Sequence, residues 1–275
     1  MRISVALAVL LCACGDNRQG VVIDAAIDAP TTTPDGRPLG VIDGLCTGVP
    51  GKPRVLVYSR ENLWRHLSNY YSRLAIYNMC QSRGFNVTTT NDPQAINVTR
   101  LADFDVVVFA HTSGPGLDPQ GRADLNAWVQ AGGGVVGLHS ASATEPDWSY
   151  YADKLIGARF AGHVPGMQPA TVKLVGSHPI TDGLTDFPAT DEWYFFQTRP
   201  ENDPDLHVVL ALDETTLPAD YPAMYKQGYH PIGWVNEQYG GRVFYTAIGH
   251  NPDLWSDPTI LELTGRAIEW CAHQR

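Results

Sequence analysis

The chain has 275 residues, 44% of them hydrophobic and 17% charged, with a formal net charge of −10. That apolar content supports a full core and excludes a chain disordered throughout, and the length suits one α/β domain with appendages. No cluster of Lys or Arg occurs, which argues against a nucleic-acid groove, and an acidic surface suits neutral or cationic small molecules better than phosphorylated ones.

Met1-Arg2 is a short basic start, and Ile3 to Leu11 is a mostly apolar run. The run is far below the ~20 residues needed to span a bilayer, so it reads as an export signal. It closes on Leu11-Cys12-Ala13-Cys14, which resembles a bacterial lipobox. Residues 1–13 would then be a lipoprotein signal peptide, and Cys14 the lipidated amino terminus, with the lipid anchor as the one membrane contact. Gly15 rather than Asp follows Cys14, which favours the outer membrane or the periplasmic face of the envelope. Residues 14–51 read as a disordered acidic tether, with Asp16, Asp24, Asp28, Asp35 and Asp43 among Pro30, Pro34, Pro38 and Pro50. Cys46, Cys80 and Cys271 lack metal-type spacing. An oxidising compartment permits one disulfide; Cys46 with Cys271 is one pairing, and buried free thiols are the alternative.

The domain is expected over residues 52–275. Val55–Tyr58 is a short apolar run of the buried-strand type. Tyr70 to Arg83 has helical periodicity and stops at Gly84, and Phe85–Thr89 is β-rich. Asp105–Phe109 and Val135–Leu138 are further continuous strands, separated by a helix from Pro119 to Ala131 and the Gly132-Gly133-Gly134 break. This alternation predicts an α/β fold, a mostly parallel sheet with helices on both faces in a three-layer, flavodoxin-like arrangement. The second half is irregular. Thr171–Val175, Val208–Ala211, Ile232–Val235 and Arg242–Thr246 read as strands, and a helix from about Pro258 to Cys271 ends the chain.

Ligands of open parallel sheets bind beyond the carboxyl ends of the strands. Trp64-Arg65-His66, His111-Thr112-Ser113-Gly114, His139-Ser140-Ala141-Ser142 and Gly249-His250-Asn251 each follow a strand at such a point. Phe160-Ala161-Gly162-His163 and Asp191-Glu192-Trp193-Tyr194 come from connecting segments. Neutral imidazoles suit zinc or another transition metal. His139, His163 and His250 with Asp191 or Glu192 are the ligand candidates for a divalent metal such as zinc, with an open position for chemistry. The same His and Glu side chains would serve equally as proton carriers without metal. His139, His250 and Glu192 are therefore the catalytic candidates, and Arg65, His66, His111, Ser140, Trp193 and Tyr194 the substrate-binding ones. His178 and His230 precede Pro and read as turn residues. Aromatic faces at Trp193 and Tyr194 suit the apolar faces of sugar rings, whereas Trp128 and Trp234 lie in elements and read as packing.

The run Gly132–Ser140 resembles the GGG-x-x-G-x-H core of ThuA-like, trehalose-utilisation proteins. Trp148 with Tyr151, Leu155–His163, His178–Leu184, Asp191–Tyr194, His230–Trp234, Gly241–Tyr245 and Gly249-His250 continue the likeness in order, over roughly residues 53–272. The resemblance implies a fold similar to class I glutamine amidotransferases. Those enzymes carry a nucleophilic cysteine on a Gly-x-Cys-x-Gly turn, for which Gly137-Leu138-His139-Ser140-Ala141 is the counterpart here. Without the thiol, glutaminase chemistry is disfavoured. Ser140 lies one place off the turn and is a poor substitute nucleophile. The family association implies carbohydrate utilisation. It points either to isomerisation or cleavage of a glycoside or keto-sugar derivative, or to a non-catalytic lipoprotein that binds carbohydrate or a partner. Neither reading sets an oligomeric state.

Overall fold

The computed structural model describes residues 44–273. The export signal, Cys14 and most of the tether lie outside the described residues.

Ten strands form one sheet in the order β1-β3-β2-β4-β5-β12-β11-β10-β7-β8. Its core is parallel: β3 (Asn86–Thr90), β2 (Arg54–Tyr58), β4 (Val106–Ala110), β5 (Gly134–Leu138) and β12 (Gly241–Thr246). The central strands β4 and β5 are buried along their whole length, as continuous Val-rich runs covered on both faces must be. Beyond β12 the sheet turns antiparallel through β11 (His230–Tyr239), β10 (Leu206–Asp213), β7 (Gln168–Leu174) and β8 (Phe187–Asp191). A separate pair, β6 (Phe160–His163) with β9 (Tyr194–Phe196), sets His163 opposite Tyr194.

Among the described residues four α-helices accompany the sheet: α1 (Leu67–Arg83), the single turn α2 (Val98–Leu101), α3 (Pro119–Gln130) and α4 (Pro258–Cys271). Helix α1 starts three residues before the expected Tyr70, and its buried stripe changes character along its length. Near the start it presents Ser68, Asn69 and Ser72; further on it presents Ile76, Met79 and Cys80. The polar end has work at the strand termini. Asn69 Nδ2 donates to the carbonyls of Ser59 (3.2 Å) and Ala110 (3.3 Å), tying the ends of β2 and β4 together. Asp118 and Asp257 cap α3 and α4 through backbone N–H groups, each followed by Pro at the first helical position. Helix α4 closes on β5 so tightly that a Cβ at Gly134 would stand 2.3 Å from the Cys271 carbonyl oxygen. The opposite face is covered by the π-type turn Tyr150–Leu155, whose Tyr151 packs edge-on against Phe109 at 5.2 Å. No helix among the described residues is long and apolar enough to cross a membrane.

Two expectations are corrected. The ordered fold begins before residue 52, because Gly44–Cys46 forms β1, antiparallel to β3. Cys46 is bonded to Cys80 of α1, with a Cα–Cα distance of 6.0 Å, and not to Cys271. The sheet order explains why. β1 is the outer edge, while Cys271 lies over β5, four strand positions away or about 19 Å, well beyond disulfide reach. Cys271 stays a fully buried thiol donating to the Val135 carbonyl (3.3 Å), and burial raises its pKa.

Candidate active site at the carboxyl ends of the parallel strands

Strands β4 and β5 run directly into His111 and His139, β2 leads through Glu61 to His66, and β12 leads to Gly249-His250. The imidazoles of His66, His139 and His250 converge, with ring centres 4.9 Å (His66–His139), 5.4 Å (His139–His250) and 5.5 Å (His66–His250) apart. His111 sits behind them, 5.4 Å from His139. His111 and His139 both adopt left-handed backbone, φ 54° and 52°, which is unfavourable for a side-chain-bearing residue and is held by the surrounding structure. Gly249 makes this crowding possible: a Cβ there would stand 3.1 Å from His111 Nε2 and 3.2 Å from His139 Cβ.

Two of these imidazoles are oriented from behind. His139 Nδ1 donates to the Ala247 carbonyl at 2.8 Å, so its Nε2 carries the lone pair that faces the centre. Glu61 Oε1 accepts from the backbone N–H of His66 (2.7 Å) and lies 3.1 Å from its Nδ1, which turns Nε2 outward. Burial, and then the neighbouring His66, His111 and His250, hold the His139 pKa well below the ordinary histidine value. At neutral pH it is an uncharged ligand or base.

The carboxylate comes from the segment between β8 and β9. Glu192 Oε2 lies 3.1 Å from His250 Nδ1 and 3.7 Å from His139 Nε2, and Oε1 lies 3.4 Å from His163 Nδ1. Tyr194 is next on the same side of this extended segment, and its hydroxyl is 2.6 Å from His139 Nε2. Burial, then the Glu192 charge, raises the Tyr194 pKa well above that of a free phenol, so the hydroxyl keeps its proton. A ladder of rings leads outward from Tyr194: Phe160 lies 4.4 Å away, and Trp64 meets Phe160 edge-on at 5.3 Å. Trp64 and Phe160 are half-buried, Tyr194 is buried, and His250 is the most open of the ionisable groups, with 34% of its side chain exposed.

Several expected site residues have other tasks. Trp193 is buried on the other side of the segment, and its indole N–H donates to the Gln168 carbonyl (2.7 Å), so it offers no face to a sugar. Asp191 is not placed as a metal ligand: its fully buried carboxylate accepts from the backbone N–H groups of Gly249 (2.6 Å) and Asn251 (2.9 Å), fixing the loop that carries His250. Burial lifts its pKa to about 6. His111, expected to touch substrate, is fully buried with Nε2 on the Gly249 carbonyl (2.8 Å) and Nδ1 on Ser72 Oγ (3.2 Å). His163 stands at Glu192 rather than among the three converging rings, and its Nδ1 is also 3.0 Å from the Val164 carbonyl. Ser140 Oγ is buried without a hydrogen-bond partner among the described residues, and Arg65 is exposed on the loop ahead of α1. His230, read as a turn residue, opens β11 and bridges Glu214 and the Tyr194 carbonyl, each at 2.9 Å. Glu61 and the Ala247 carbonyl were not foreseen. Glu61 belongs to no motif with His66, and a backbone carbonyl leaves no trace in residue type.

Among the described residues, His66, His139 and His250 form the group able to hold a metal, one nitrogen from each lying within 4.8 Å of the others. Nitrogens bound tetrahedrally to zinc at 2.0–2.1 Å stand about 3.4 Å apart, so a modest inward movement would close the set. The donors also suit the ion chemically: His139 is neutral, and His139 and His66 are each backed by an oxygen acceptor. Of the residues expected as ligands, His139 and His250 belong to this group, and His163 and Asp191 do not.

Comparison with known proteins agrees with this architecture. The ThuA family, described as trehalose utilisation, matches residues 54–271. A ThuA-like protein from Bacteroides uniformis superposes with a TM-score of 0.69 at 22% identity, over 83% of this chain and 95% of that one. A ThuA-like protein from Parabacteroides merdae gives 0.61 at 19% identity, over 80% and 90%. A cytoplasmic protein from Salmonella typhimurium gives 0.53 at 13%, over 79% and 98%. No curated protein matches the chain. At these identities the structures speak for the fold, and the family rests on the match along the sequence: the chain belongs to the ThuA, trehalose-utilisation family.

Proposed function

We propose that this protein acts on a glycoside or keto-sugar derivative at the His/Glu centre, as an exported protein held to the cell envelope through lipid on Cys14. The observation that carries the reading is Glu192, whose carboxylate lies 3.1–3.7 Å from His250, His163 and His139 while Tyr194 meets His139 from the same segment. Proton abstraction beside a ketone needs a base and a group that stabilises the developing oxyanion. Glu192 is the base of this scheme, with the His250 ring at its side. Tyr194, a protonated hydroxyl in a buried position, is the donor to the substrate oxygen. His66, His139 and His250 would hold a divalent ion, which would supply positive charge to the same oxygen. Trp64 and Phe160 flank the approach and suit the apolar face of a sugar ring. The Cys46–Cys80 disulfide supports an oxidising compartment.

The test is turnover of a panel of glycosides and 3-keto-glycosides by the metal-loaded protein, with Glu192→Gln as control. Conversion by the wild type that Glu192→Gln lacks is the expected result. The half-buried Trp64 and Phe160 would equally serve a protein that only binds carbohydrate; saturable sugar binding with no conversion of any panel member would select that reading. For the anchor, mass spectrometry of the mature amino terminus should find acylated Cys14, and Cys14→Ala should release the protein from the membrane fraction.

A further inference from the structure

We infer that the Tyr194 hydroxyl is a gate on the metal-binding nitrogen of His139: it occupies that nitrogen's lone pair while the centre is empty and is released toward substrate when a metal takes its place. The inference rests on the proposed metal centre. With Nδ1 donating to the Ala247 carbonyl, His139 has one lone pair left, on Nε2. The Tyr194 hydroxyl, 2.6 Å away, donates to that lone pair. An ion bound there at about 2 Å would need the same electrons. Hydroxyl and ion therefore exclude one another at this atom.

The ring of Tyr194 is not free to leave. It lies 4.3 Å from the His139 ring and 4.4 Å from Phe160, and β9 pairs it with His163 on β6. Its backbone carbonyl accepts from His230 Nε2 (2.9 Å). Release consequently means a turn of the O–H bond and a small shift of the ring, leaving a proton donor beside the position a substrate oxygen would take. One side chain thus keeps an empty imidazole satisfied and serves the loaded site as donor.

The experiment is titration of the chelator-stripped full chain with zinc and cobalt(II), comparing wild type with Tyr194→Phe, which keeps the ring and removes the hydroxyl. The variant should bind both ions about three- to tenfold tighter, the equivalent of one hydrogen bond no longer broken on binding. It should also lose turnover of any substrate the wild type converts. Equal affinity in the two proteins overturns the gate while leaving the metal centre standing. Weaker binding by Tyr194→Phe overturns it too, since the phenol would then be helping to hold the ion. No binding by either protein removes the metal centre and the gate together. Should Tyr194→Phe fail to fold, histidine-ring 15N spectra of the wild type decide. Zinc should shift His139 Nε2 and abolish its contact with the Tyr194 hydroxyl proton; a contact that survives saturation with zinc overturns the proposal.

Discussion

In the parallel half of the sheet, β4 and β5 each end in a fully buried, left-handed histidine: His111 at φ 54° and His139 at φ 52°. By position, burial and depressed pKa the two are twins. The antiparallel half separates them. Its β8–β9 segment brings Glu192 and Tyr194 to the open nitrogen of His139, while His111 has both nitrogens engaged by Ser72 and Gly249. A strand end delivers an imidazole, and what meets its second nitrogen decides whether it has chemistry left to do.

The sharpest way to break this contrast is to replace each twin with Asn, which tolerates left-handed backbone. His139→Asn should cut turnover or zinc affinity by at least about 10²-fold, as expected for loss of a ligand or proton carrier, on top of a stability loss like that of its twin. Equal effects on function from His139→Asn and His111→Asn would end the distinction.

The parallel half was legible because its strands are unbroken apolar runs, and because strand ends in such a sheet share one rim. That logic reached His66, His111, His139 and His250 with no motif to join them. It failed where direction matters. In an extended segment alternate residues face opposite sides, so Glu192 and Tyr194 go together and Trp193 must go the other way. Residue types alone do not say which parity faces the site. The Cys46–Cys80 pairing was hidden for a different reason: it depends on β1, three residues too short to carry any periodic signal. Asp191 was misread because a buried carboxylate bonded to backbone N–H groups looks, in sequence, like any acidic ligand.

Reduction of the disulfide should come next in size. It closes a loop between residues 34 apart, and by the chain-entropy relation its loss should cost about 3–4 kcal/mol in denaturant unfolding. Because β1 is the sheet edge, zinc affinity of the reduced but folded protein should be unchanged; a drop would show that the edge and the site are coupled. His111→Asn should follow, destabilising the fold by about 1–3 kcal/mol as its buried bonds to the Gly249 carbonyl and to Ser72 Oγ are lost. Its zinc affinity should stay within about tenfold of the wild type, the lower bound for disturbing a group that only supports ligands.

Asp191 tests the join between the two halves, since it stands at the end of β8 and holds the loop after β12. Two effects oppose each other in its carboxyl group. Burial favours the protonated form, and the Gly249 and Asn251 N–H bonds favour the ionised one. Burial is the larger, leaving the pKa at about 6, above the ordinary aspartate value of 3.8. Between these pH values the folded state keeps a proton that the unfolded chain has released. The contribution to stability is therefore complete below pH 3.8 and is lost as pH rises through about 6. Asp191→Asn cannot titrate. Subtracting its unfolding free energy from that of the wild type should leave a difference that moves in favour of the variant from pH 4 to 7 and is flat above. A difference that moves the other way would mean that the two N–H bonds outweigh burial and that Asp191 is an anion throughout. The His250 loop would then be held by a charge, and the carboxylate beside the histidines would have an ionised neighbour at every working pH.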